Sequence, residues 1–220
     1  MPSTTLDQSF SCTTPNAPEW HRLISHFFTD YLRLVEPDSA AQMHLEDCRI
    51  LPAPGEGNAN VVHARVPSHR AEEVTILAAI EPVAQEPRCL AAKLGQLVVD
   101  AELADRLPVL LSVVYLSEGR PGVHLETATL SEVGGIECVR LYFNTWCISR
   151  SRAEYYLARP EPLAWAIAPF MRSDSHSQSA LFEAARARIL QARLSDDACA
   201  ALLRFLAPDL HHEAYDEAKR

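Results

Sequence analysis

VTILAAIEPVAQEPRCLAAKLGQLVVDAELADRLPVLLSVVYL, residues 74–116, reads as strand, helix, strand. Val74–Ile80 is a continuous apolar run too short for a helix of average length, the pattern of a strand buried on both faces. Pro82 and Pro87 break the chain after it. From Arg88 to Leu107, Leu90, Leu94, Leu97, Val98 and Ala101 recur at three- and four-residue spacing with charges opposite, which predicts an amphipathic helix. Pro108–Leu116 is a second buried strand. A helix between two such strands supplies the connection that parallel pairing requires, so the centre of the fold is expected to be a strand–helix–strand crossover.

Upstream, Trp20, Leu23, Ile24, Phe27, Phe28, Tyr31, Leu32 and Val35 lie on one face of a helix running from Pro18 to Val35, where Pro37 stops it. Cys48–Leu51 and Asn60–Val66 are predicted strands separated by the turn-rich PAPGEGNAN, and Asn60–Val66 and Val74–Ile80 flank the polar SHRAEE. Downstream, SEGRPGVH is a predicted loop, and Gly135–Trp146 alternates well enough for a late edge strand, open to pairing with a second copy. Pro162–Met171 and Ser179–Leu194 carry helical periodicity. Ser195 with Asp196 and Asp197 is an N-cap and acidic first turn for a last helix reaching Phe205.

The expected architecture is an α/β fold with a mixed central sheet flanked by helices and a C-terminal helical extension. Residues 18–158 form the core, residues 159–207 pack helices on it, and the polar ends, 1–17 and 208–220, are expected to be flexible.

The 220 residues are 48% apolar and 22% charged, enough to bury a full core without disulfide staples. The beginning of the chain has neither the basic start nor the apolar run of a signal peptide, and no stretch reaches about 18 uninterrupted apolar residues. Six cysteines are scattered without a CxxC pair or zinc-like Cys/His spacing. A cytoplasmic protein with reduced thiols, neither exported nor membrane-bound, is the expectation. The net charge of −9 shows no overall basic character, so nucleic-acid contact would need a local patch. Arg150, Arg152, Arg186 and Arg188 are the candidates.

Metal-dependent phosphodiester cleavage needs carboxylates converging on Mg²⁺, and adjacent strand ends bring them together. Asn60 opens one predicted strand and Glu81 closes the next. The strand NVVHARV, the run ILAAIEPVAQEPR, the helix Arg88–Leu107 and PVLLSVVYL followed by SEGRPGV resemble the PD-(D/E)XK nucleases, in particular the transposase-like group of recombination-promoting nucleases. The resemblance spans Trp20 to Leu206 and implies a restriction-endonuclease-like core, a DNA partner and Mg²⁺ at a working site. It implies an Asp at position 60, the Glu found at position 81, and a Gln or Lys at position 83. Asn60 and Val83 depart from that pattern. An amide lacks the full negative charge of a carboxylate, and valine neither orients water nor touches phosphate. Gln85 replaces the missing polar residue if Pro82 shifts the register, and Glu19 or Asp30 on the first helix is an additional candidate carboxylate. The site expected from these residues is Glu81 and Asn60 as metal ligands with Gln85, catalytically impaired. A scaffold role on an inactive nuclease fold is the alternative. His63, three residues after Asn60, falls on the opposite strand face and is expected to be structural. Ser112 and Cys89 have no recognisable base beside them.

Overall fold

A computed structural model describes residues 15–206 except 56, 57, 71, 84, 134 and 135; nearly all of the two ends expected to be flexible lies outside the described residues. Six strands form one mixed sheet: β1 (Arg49–Leu51), β2 (Val61–Pro67), β3 (Glu73–Glu81), β4 (Val109–Tyr115), β5 (Gly122–Val133) and β6 (Ile136–Cys147), in the order β1-β2-β3-β4-β6-β5. Strands β1, β2 and β3 are an antiparallel meander. Helix α4 (Pro87–Asp105) then carries the chain over the sheet, so that β4 pairs parallel to β3. The apolar run of residues 74–80 is central and buried for the reason its composition gives: neighbours on both sides and helices on both faces.

The predicted helix over residues 18–35 is two helices, α1 (Ala17–His26) and α2 (Phe28–Val35), joined at Phe27, whose backbone (φ −113°, ψ 38°) leaves the helical region. A capping box starts α1: Asn16 accepts from the Glu19 N–H at 3.1 Å and Glu19 accepts from the Asn16 N–H at 2.8 Å. The change of direction lets both segments lay apolar residues on the sheet. A short helix, α3 (Pro37–Ala40), follows.

Strand parity divides the core. Val62, Ala64, Ile76, Ala78, Ile80, Val114 and Trp146 face α1, α2 and the C-terminal helices. Val61, Leu77, Ala79, Leu111, Val113 and Tyr115 face α4. After β6 come α5 (Ala153–Leu157), α6 (Pro162–Ile167), α7 (Gln178–Gln191) and α8 (Asp196–Leu206). The Trp20 ring of α1 meets Phe205 of α8 edge-on at 4.8 Å and Phe170 at 5.7 Å, so the C-terminal helices share the core of the sheet. Edge-to-face pairs of this kind add about 1 kcal/mol each beyond area burial.

Two sequence expectations change here. Residues 122–133 form a strand, and the expected late edge strand, β6, is internal, between β4 and β5. Phe143 is buried in consequence, while Tyr142 stays exposed. The edge on this side of the sheet is β5, which lies over α4 where Gly95 stands; a Cβ at that position would overlap Leu130. Among the described residues, no helix is long and apolar enough to cross a membrane.

Candidate functional site

Strands β3, β4 and β6 run parallel, and their carboxyl ends align Glu81, Tyr115 and Cys147 in one row across the sheet. Ligand sites of α/β proteins lie beyond such ends. Two neighbourhoods meet this edge, one on each face.

On the α4 face, Glu81 is 2% exposed, and its carboxylate is fully engaged. Gln85 Nε2 donates to Oε2 and Lys93 Nζ of α4 donates to Oε1, both at 2.5 Å. Gln85 is thus near Glu81, as a hydrogen-bond donor to a buried carboxylate. Lys93 was not foreseen. It is twelve residues from Glu81 in sequence, and only the crossover places it over the carboxylate. Removing it leaves a buried anion with one amide donor. Lys93→Ala is therefore expected to lower stability by about 1–2 kcal/mol, less than an enclosed pair because Lys93 is a third exposed, and Lys93→Arg to restore most of it in urea unfolding.

Asn60 is not brought to this carboxylate. The register places it opposite Ile80, whose N–H donates to the Asn60 carbonyl at 2.8 Å. Opposed residues of an antiparallel pair share a face, so Asn60 belongs with Ile80 and Val62, while Glu81 belongs with Ala79 and Leu77. Glu19 is spent on the α1 cap, and Asp30 accepts from the Leu163 N–H and pairs with Arg33. Among the described residues, no group of three or more His, Cys, Asp or Glu side chains is placed to hold a metal ion. The Mg²⁺ implied by the resemblance does not fit: one carboxylate already matched by one ammonium offers no surplus negative charge to a divalent cation. The other polar candidates are each engaged by a neighbouring group. Ser112 Oγ is 2.7 Å from the Tyr31 hydroxyl, both fully buried. The Cys89 thiol donates to Glu86, which pushes its pKa up and disfavours the thiolate. His63 lies on the α4 face, held between the Pro52 carbonyl (2.7 Å) and Asp105 (2.9 Å).

On the other face, a cleft of about 700 Å³ opens between the end of α2, the start of β5 and the segment leading into α5. Arg150, Arg152, Tyr155 and Asn144 line it. Arg150 makes no hydrogen bond or ion pair among the described residues, and Arg152 has only a long 3.8 Å contact with Asp174. From Tyr155, cations and rings alternate away from the cleft. The Arg159 guanidinium lies 5.9 Å from the Tyr155 ring centroid, Trp165 Nε1 donates to the Arg159 carbonyl at 2.7 Å, and the Arg188 guanidinium lies 4.9 Å over Trp165. Arg159 is itself paired with Glu161. Of the four expected arginines, Arg150 and Arg152 share the cleft and Arg188 extends the series. Arg186, two residues earlier on α7, projects about 200° away around the helix.

Beneath this cleft lies Glu36, 5% exposed, with one carboxyl oxygen lacking a partner. Burial pushes its pKa up to about 7, against smaller lowering by hydrogen bonds with Asn144 and Ser39. Its place between Val35 and Pro37 gave no sign of burial in the sequence, where a Glu at a helix end reads as solvated. No family model, curated protein or solved structure matches the chain.

Proposed function

We propose that this protein binds a nucleic-acid strand, DNA in the first instance, on a nuclease-like scaffold and without hydrolysing it, in the cytoplasm. The observation that carries this reading is the exposed pair Arg150 and Arg152 beside the exposed Tyr155 ring at one cleft, with Arg188, held over the buried Trp165, continuing the positive charge beyond it. Guanidinium groups take phosphates, and an exposed aromatic face such as that of Tyr155 stacks a base whatever its sequence. The antiparallel meander, the crossover helix and the parallel β4 are in keeping with the core that the PD-(D/E)XK resemblance implies. The Glu81–Lys93 pair and the placement of Asn60 support binding without cleavage. Free thiols at Cys48, Cys89, Cys147 and Cys199 suit a reducing compartment.

The test is fluorescence anisotropy of a labelled single-stranded oligonucleotide across a salt series. The wild-type protein is expected to bind at low salt and release as salt rises. Arg150→Ala with Arg152→Ala should weaken binding about tenfold and flatten the log–log salt slope by about 1.4, at 0.7 per phosphate contact. No binding by the wild type, or equal binding by the double variant, overturns the reading. Supercoiled plasmid with Mg²⁺ or Mn²⁺ is expected to stay intact with both the wild type and Glu81→Ala; nicking lost only in the variant would make the protein a working nuclease.

A second reading, a self-associating scaffold, is favoured by Leu125, Val139 and Tyr142, which stand exposed on the β5–β6 hairpin at the sheet edge. Gel filtration showing a strict monomer removes it.

A further inference from the structure

Opposite charges line the cleft between α2 and α5 without neutralising each other. Arg150 is on the segment after β6 and Asp38 is on α3, and neither has a hydrogen-bonding or ionic partner among the described residues. Both are exposed, so they are free to receive an occupant with an anionic group at one end and a hydrogen-bond donor at the other. The Tyr155 ring, 59% exposed, offers an apolar face between solvent and the cleft. Gly122, at the start of β5 with φ +83°, has no atom within 4 Å of the place a Cβ would take, so this side of the cleft is open. The cleft, about 700 Å³, is within the range of pockets that enclose a whole small molecule.

We propose that this cleft holds the 3′-terminal nucleotide of a bound DNA strand, with its phosphate on Arg150 and Arg152, its base against Tyr155 and its free 3′-hydroxyl donating to Asp38. The inference rests on the nucleic-acid reading above and adds to it a preference for strand ends. A strand that continued past Asp38 would bring a further phosphate against the carboxylate, and like charges repel. A terminal hydroxyl at the same place makes a charge-assisted hydrogen bond instead. Asp38 thus closes the phosphate track that the arginines open.

Anisotropy competition tests it with three oligothymidylates of equal length: linear with a 3′-hydroxyl, linear with a 3′-phosphate, and circular. The wild-type protein is expected to prefer the 3′-hydroxyl strand about tenfold over the other two. In Asp38→Ala, a substitution at an exposed position, the 3′-hydroxyl strand should lose that advantage and the 3′-phosphate strand should gain. Equal affinity for circular and 3′-hydroxyl strands in the wild type, or a preference unchanged in Asp38→Ala, overturns the end-binding inference while leaving the nucleic-acid reading in place. No binding of any of the three overturns both.

Discussion

Asp105→Ala is expected to destabilise the protein by about 3–5 kcal/mol, a drop of roughly 6–20 °C in Tm for a chain of this size. The carboxylate is 3% exposed at the last turn of α4, and three side chains from the sheet converge on it. Arg65 of β2 pairs with Oδ1, and Oδ2 accepts from Thr75 at 2.8 Å and faces His63 Nε2 at 2.9 Å. Removing Asp105 strands all three, and Thr75 and His63 are too buried to turn to water. A group left unpaired in the interior costs its full desolvation, which is why truncating one partner costs more than the pair contributes. The hydrogen bond from Arg65 holds the Asp105 carboxyl well down, to about 2, with smaller contributions from Thr75 and His63. The sign follows from that depression. A carboxyl whose folded pKa is below its unfolded value contributes stability above the unfolded value of 3.8, and that contribution fades as pH falls through about 2. Thermal melts between pH 7 and pH 2 should therefore show the gap between the wild type and Asp105→Ala narrowing only below about pH 4. A gap under 1 kcal/mol at neutral pH would show that the network is not a structural clamp. Together with the Lys93–Glu81 pair, Asp105 fastens both halves of the crossover helix to the sheet, so its loss is expected to loosen the parallel β3–β4 connection before the C-terminal helices.

The crossover was legible because its two strands are buried on both faces and so are written as unbroken apolar runs at residues 74–80 and 108–116, with a periodic helix between them. Strand β5 was not, because it has only one neighbour and packs one face on α4. GVHLETATL consequently mixes Thr, His and Glu with its apolar residues, so its start falls in the predicted loop SEGRPGVH and the rest shows no strand pattern. Reading β6 as an edge followed from missing β5. The break at Phe27 was invisible for a different reason: the apolar spacing of α1 continues into α2, and the change of direction is set by packing on the sheet. Of the site, Glu81 and Gln85 were readable as neighbours after a turn. The burial of Glu36, the pairing of Lys93 and the side of the sheet on which Asn60 falls depend on register and on helix placement, which local sequence does not encode.

Glu36→Gln is expected to stabilise the protein at pH 8 by up to about 3 kcal/mol while changing little at pH 5. Burial raises the carboxyl from 4.5 to about 7, and hydrogen bonds from Asn144 and Ser39 offset only part of that. An acid whose folded pKa is raised keeps its proton on folding. Its stabilising contribution is complete below pH 4.5 and declines as pH rises through 7, where the folded protein must hold a buried anion with one oxygen unpartnered. The interval between those values, at 1.36 kcal/mol per pH unit, sets the upper size of the effect. Glutamine keeps the shape and cannot ionise. Chemical denaturation of both proteins from pH 5 to pH 8.5 should give a difference that grows through pH 7, and a difference constant with pH would rule out the titration of Glu36. The same charge has a consequence for the cleft, since Glu36 stands between Val35 and Pro37, which line the cavity, and Asn144 donates to the Val35 carbonyl beside it. An anion under Asn144 opposes a phosphate held by Arg150 and Arg152, so strand binding by the wild type is expected to weaken as pH rises through 7, and binding by Glu36→Gln to stay level over that interval.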